Sequence, residues 1–204
     1  MNQFCDKVVI FGENESIYLS NFAGYLFEII SCVIIKFIVM IGVFYGSSTG
    51  NSEKVAEKLV RAFGAENAVS LNVEDATDKD LKKYKYLIFG TSTWGIGDMQ
   101  DDWEEFVSVI EKAGLKDKKV ALFGLGDQEI YSDSFADGMS KIYKRIKDIC
   151  KVVGFWPREG YQFDDSDALI DDQFVGLVLD EDNQSSLTDE RIEGWVKILK
   201  KEFV

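Results

Sequence analysis

The sequence predicts a doubly wound α/β domain, a parallel sheet of five strands with helices on both faces. Three observations predict it. Short, nearly unbroken apolar runs alternate with segments whose apolar residues recur every three or four positions, as strands buried on both faces and amphipathic helices require. A loop of hydroxyls and glycines, "GSSTGNS" at 46–52, stands between the first such run and the first helix. The chain has 204 residues, 46% of them hydrophobic, and a single proline, which suits one domain with a sizeable core.

"MIGVFYG" (40–46) is the first strand, and a helix from Ser52 to Phe63 follows with Val55, Leu59 and Phe63 on one face. "AVSLNV" (68–73) and "YKYLIFGT" (84–91) are the second and third strands, with room for a short helix between them. Trp103, Phe106, Val107 and Ile110 mark the next helix, and "KVALFGLG" (119–126) the fourth strand. Phe135, Met139, Ile142, Ile146, Ile149 and Val153 recur at four- and three-residue intervals, which predicts the longest helix in the chain. A short strand around Phe155–Arg158 and the run "FVGLVLD" (174–180) read as one fifth strand, split by the acidic insertion "GYQFDDSDALIDDQ" (160–173). Ile192, Trp195 and Leu199 line a closing helix. With no repeat, low-complexity tract or linker, residues 40–204 form one domain.

The stretch from Tyr25 to Tyr45 has the length of a membrane span. Glu28 and Lys36 lie inside it, the residues before it are not basic, and its end is needed as the first strand, so it is not read as one. Two readings fit residues 1–39: a real extension, disordered or peripherally attached, or the product of a start codon upstream of a functional initiator at Met40. The second is the expectation, because the domain is complete without them.

Net charge is −13; residues 1–39 hold four acids and two bases, which leaves −11 on the domain itself. That balance argues against nucleic acid and an anionic membrane surface as partners and favours a basic protein. Cys5, Cys32 and Cys150 are widely spaced and odd in number, so neither a disulfide framework nor a zinc site is read, and a reducing cytoplasm is expected. The chain has no histidine. Ser-His-Asp and Cys-His catalysis and histidine-ligated metals are therefore excluded.

In open α/β sheets ligands bind beyond the carboxyl ends of the strands. Three loops belong there: "GSSTGNS" (46–52), "TSTWGIGDMQDDW" (91–103) and "GLGDQEIYSDSF" (124–135). The first contains no lysine or arginine, yet backbone N–H groups at a helix start, with the hydroxyls of Ser47, Ser48, Thr49 and Ser52, can hold a phosphate. The alternative is an ordinary helix capped by Asn51 or Ser52. Trp94 and Tyr131 are poor turn formers among glycines. Each alone would pack on a neighbouring helix; together at one edge they make two walls for a flat ring. Phosphate and planar ring without a GxGxxG sequence point to a mononucleotide rather than NAD.

On the segments "GSSTGNSEKVA", "GTSTWGIGDMQDDW", "FGLGDQEIYSDSFADGM" and "GLVLDEDNQSSLTDERI", in order and spacing, residues 40–204 resemble the flavodoxins of the long-chain type. The resemblance implies a sheet of strand order 2-1-3-4-5 and non-covalently bound FMN. It implies a low-potential one-electron carrier, shuttling between semiquinone and hydroquinone, that serves enzymes without being one. Ser47, Ser48, Thr49, Gly50, Asn51 and Ser52 would hold the phosphate, and Thr93 would contact the phosphate or ribityl region. Trp94 would cover one ring face and Tyr131 the other. Gly95, Ile96, Leu125 and Asp127 would line the ring edge, with Gly97, Gly126 and Gln128 beside them, and Asp182 would touch the ribityl chain. The implied partners are redox proteins with basic docking surfaces: a ferredoxin–NADP reductase, a pyruvate-oxidising enzyme or nitrogenase. A cytoplasmic monomer is expected.

An uncharged cradle among Asp98, Asp101, Asp102, Asp127, Asp133 and Asp182 disfavours a further negative charge on the ring, which lowers its potential. Three other classes share the scaffold. A flavin-dependent NAD(P)H reductase needs a free ring face, and both are expected to be covered. A response-regulator domain needs an aspartate at the end of the third strand, where Gly90-Thr91-Ser92 stands. A low-molecular-weight phosphatase needs a cysteine in the first loop.

Overall fold

A computed structural model of the chain describes residues 41–203. The expectations for residues 1–39, with Cys5, Cys32 and Met40, lie outside the described residues. In chain order the elements are β1 Ile41–Tyr45, α1 Asn51–Phe63, β2 Ala68–Asn72, α2 Asp78–Lys83, β3 Tyr86–Trp94, β4 Asp98–Met99, α3 Asp101–Ala113 and β5 Lys119–Leu125. Then come α4 Asp137–Ile146, β6 Lys151–Val153, β7 Trp156–Pro157, β8 Leu169–Ile170, β9 Gln173–Phe174, β10 Leu177–Leu179 and α5 Thr188–Glu202.

The main sheet runs β2-β1-β3-β5, every neighbouring pair parallel. Beyond β5 lies a divided fifth strand. β6 pairs with Lys119–Ala121 and β10 with Phe123–Leu125, both parallel. This is the predicted order 2-1-3-4-5, with its fifth strand in two pieces.

Side chains alternate across the sheet because successive residues of a strand point to opposite faces. Phe44, Leu87, Phe89 and Leu122 meet Leu81 of α2, Trp103, Phe106 and Ile110 of α3, and Met139 and Ile142 of α4 on one side. Val43, Ile88, Ala121 and Phe123 meet Val55 and Leu59 of α1 and Trp195 and Leu199 of α5 on the other. Leu59 and Ile142 are wholly buried, and each such side chain contributes about 1.5–3 kcal/mol. Residues adjacent in β1, Val43 and Phe44, thus belong to different cores.

Several predicted boundaries need correction. The helix placed over Phe135–Val153 spans only Asp137–Ile146, and α5 at Thr188–Glu202 is the longest among the described residues. Ala136 sits at φ 61, a left-handed conformation that stops a right-handed helix from starting earlier. Val153 keeps the apolar period because it is buried from β6, not from a helix. The first half of the fifth strand is Lys151–Val153 rather than Phe155–Arg158. Trp156–Pro157 instead joins β9 and β8 in a small antiparallel sheet, so the insertion reaches from Gly154 to Gly176. The run 174–180 divides accordingly between β9 and β10. Among the described residues no helix is long and apolar enough to cross a membrane.

Candidate functional site

Because the main strands are parallel, their outgoing loops share one rim. Hydrogen bonds join the loops after β1, β3, β5 and β10 into a continuous wall. Gly46 N–H donates to Gly90 O at 3.1 Å and Gln100 Nε2 to Ser48 Oγ at 3.4 Å. Gly138 N–H donates to Thr93 Oγ1 at 3.2 Å, tying α4 to β3. Gln128 N–H donates to Asp180 Oδ2 at 3.2 Å, and Asn183 Nδ2 to Asp127 Oδ1 at 2.8 Å.

In the first loop, Gly50 at φ 85 is the residue that opens α1, which corrects the alternative of Asn51 or Ser52 as cap. Both lie inside the helix. Ser47 Oγ takes the capping role, accepting Gly50 N–H at 3.1 Å and Glu53 N–H at 3.4 Å. The N–H groups of Asn51 and Ser52 fall in the first turn, where helix geometry supplies no partner and the dipole favours an anion. Ser48 and Thr49 are exposed, and Ser52 is buried. The Ser52 hydroxyl has no hydrogen-bond partner among the described residues.

The second loop is more ordered than the sequence suggests. β3 continues to Trp94, turns through Gly95-Ile96-Gly97 and returns as β4, pairing Thr93 with Met99 and Trp94 with Asp98. Trp94 is 42% exposed, held by a hydrogen bond from its Nε1 to Ser92 Oγ at 2.8 Å. Ile96 at the tip is 89% exposed. Gly95 adopts φ 53, and a Cβ there would meet only Asp98 Oδ2, at 3.7 Å. The position has space for a side chain but a backbone that disfavours one.

Tyr131 and Ile130 in the third loop are 48% and 75% exposed. Neither Trp94 nor Tyr131 packs on another aromatic ring among the described residues. The insertion grips this loop from behind. Asp164 and Asp165 N–H both donate to Ser132 O, Phe135 N–H donates to Asp165 O at 3.3 Å, and the Ser166 hydroxyl donates to Phe135 O at 2.5 Å. The Phe135 ring is buried against Tyr161, Phe163 and Phe174.

Leu125 ends β5 buried, and Gly126 N–H donates to Leu179 O at 3.1 Å. Gln128 is buried, with Oε1 accepting Gln162 N–H at 2.8 Å. Gly97 is buried while Asp182 is exposed, its N–H donating to Asp180 Oδ1 at 3.2 Å. Partial burial pushes the Asp127 carboxyl up, but hydrogen bonds from Ile130 N–H, Asn183 Nδ2 and Glu129 N–H outweigh it and hold the group below the usual carboxylate range. Asp127 therefore stays anionic at neutral pH. Burial has the upper hand at Asp137, beside Gly97, and raises its carboxyl despite the Asp167 N–H bond.

Three residues of the rim escaped sequence reasoning. Asp180 is wholly buried and accepts the N–H groups of Gln128, Asp182 and Asn183, which locks the β5 and β10 loops together. A carboxylate closing the apolar run "FVGLVL" was the available signal. Asn183 is its partner, bonding both Asp180 and Asp127. Gln100 gave no signal, being one polar residue in a polar stretch.

Comparison with known proteins places the chain in one family. The flavodoxin family model matches residues 43–195. The flavodoxin of Synechococcus elongatus is 46% identical over 165 residues, covering 80% of this chain and 97% of its own length. That of a Nostoc species is 47% identical over 164 residues, with 80% and 96% covered. Among solved structures, a Fusobacterium nucleatum flavodoxin bound to flavin mononucleotide is 30% identical, with TM-score 0.77, covering 81% of this chain and 99% of that one.

Proposed function

The chain belongs to the flavodoxin family, and from that premise we propose that it binds FMN at the rim described above and carries single electrons between redox proteins. The observation that carries the site assignment is the start of α1, where the first-turn N–H groups of Asn51 and Ser52 have no intrahelical partner and the exposed hydroxyls of Ser48 and Thr49 stand beside them in a loop that has no cation. Backbone and hydroxyl donors at a helix N-terminus hold a phosphate without a cation.

In this reading Ser47, Ser48, Thr49, Gly50, Asn51 and Ser52 hold the phosphate through hydroxyl and backbone donors, with Thr93 alongside. Trp94 and Tyr131 flank the ring. Gly95, Ile96, Gly97, Leu125, Gly126, Asp127 and Gln128 border its edge, and Asp182 stands by the ribityl chain. Bound FMN supplies reversible one-electron chemistry. The protein's part is to exclude water with the two aromatics and to surround the ring with acids. Asp127, fixed as an anion, opposes added negative charge and lowers the potential. The exposed Trp94, Ile96, Ile130 and Tyr131, with the exposed acids Glu129, Asp133 and Asp182 in the rim loops, suit a partner with a basic surface around an apolar centre, such as a ferredoxin–NADP reductase.

Adding FMN to the apoprotein is expected to quench flavin fluorescence with a one-to-one end point. A chain that leaves the fluorescence unchanged refutes the reading. Gly95→Ala is expected to narrow the separation between the two one-electron potentials, because a Cβ penalises the φ 53 conformation by about 1 kcal/mol and limits peptide reorientation beside the ring. Potentiometric titration measures this, and an unchanged separation removes Gly95 from redox control.

A further inference from the structure

We infer that Gln100 is a positioning residue of the phosphate cradle, aiming the Ser48 hydroxyl hydrogen outward at the anion; the inference rests on the FMN reading above. Gln100 caps α3 directly after the hairpin, is 3% exposed, and its N–H donates to Thr91 Oγ1 at 3.2 Å. Its side chain passes so close to the first loop that a Cβ on Gly46 would lie 2.1 Å from Gln100 Oε1 and 2.7 Å from Trp103 Cδ1. Only glycine fits between them.

The amide has one orientation that works. Its Nε2 donates to Asp102 Oδ2 at 2.6 Å and to Ser48 Oγ at 3.4 Å. An ionised carboxylate only accepts, so Asp102 selects the NH2 end of the amide. The choice leaves Oε1 buried with no donor among the described residues, while Nε2 has an acceptor in both Asp102 and Ser48. A serine oxygen that accepts a hydrogen bond still has its own hydrogen to give. Ser48 is exposed, so that hydrogen is within reach of a ligand. Ser47, accepting from Gly50 and Glu53, is left in the same state. Gln100 also interposes a neutral amide between the Asp102 carboxylate and the loop that would hold a dianion.

The test compares FMN with riboflavin, which lacks the phosphate, by fluorescence titration of the apoprotein in phosphate-free buffer. The wild-type chain should prefer FMN. Gln100→Leu is expected to lower the FMN-to-riboflavin affinity ratio about tenfold, the scale of one hydrogen bond to a charged group, with riboflavin affinity within about twofold of wild type. Gln100→Met, which keeps the side-chain length without the amide, should lower the ratio to a similar extent, and it serves if the leucine variant fails to fold. Adding Gln100→Leu to Ser48→Ala should lower the ratio no further than Ser48→Ala alone. Equal weakening of FMN and riboflavin, or additive losses in the double variant, would overturn the inference while the proposal that the chain binds FMN stands. A wild-type protein that does not distinguish FMN from riboflavin refutes the phosphate cradle itself.

Discussion

Phe135→Ala is expected to lower the stability of the protein by about 3–5 kcal/mol, the range for removing a fully buried aromatic ring. The ring has centroid distances of 5.8 Å to Tyr161, 5.2 Å to Phe163 and 6.1 Å to Phe174, so its loss opens a cavity between the third rim loop and the insertion. That cavity cannot collapse freely. The Phe135 backbone is tied to Asp165 and Ser166, and Ser132 to Asp164 and Asp165. Equilibrium urea unfolding of the apoprotein measures the loss. A decrease below about 1 kcal/mol would mean that the insertion does not share the cooperative core.

Trp94→Ala is expected to do the reverse, weakening FMN binding by about 1–3 kcal/mol, or roughly 5- to 150-fold, the scale of stacking a flat heterocycle on an aromatic side chain. Apoprotein stability should change little. The indole is 42% exposed and its hydrogen bond runs to Ser92, two residues away on the same hairpin. Fluorescence titration with FMN, paired with urea unfolding of the apoprotein, separates the two effects. Undiminished affinity would place the ring elsewhere on the rim. A large loss of stability would make Trp94 a packing residue.

Much of this architecture was legible because the sheet is buried on both faces. A strand such as "VALFGL" has to be apolar throughout, and the helices keep one apolar stripe each, so order and class follow from pattern alone. The errors cluster where periodicity has two causes. Phe135 and Val153 extend the helical spacing of Met139, Ile142 and Ile146, yet one is buried by the insertion and the other by the sheet. β6 has three residues, too few for a pattern, and Trp156 close by belongs to the small sheet of the insertion. At the rim, loop residues whose chemistry is local were legible: hydroxyls before a helix, aromatics among glycines. Gln100 and Asp180 were not. Their partners, Ser48 for one and Gln128 for the other, stand 52 positions away, and only the folded chain brings them together.

The divided fifth strand also bears on how the protein reaches its fold. Until β6 and β10 dock, β5 is an edge strand with unpaired N–H and C=O groups along its outer side. β6 follows α4 closely and can cover Lys119–Ala121 early. Phe123–Leu125 must wait for β10, which arrives only after the insertion has closed on itself, a long loop closure of the kind that slows folding. The stretch "LFGL" is therefore an apolar edge that stays open longer than Lys119–Ala121, and conditions that delay the insertion prolong that exposure.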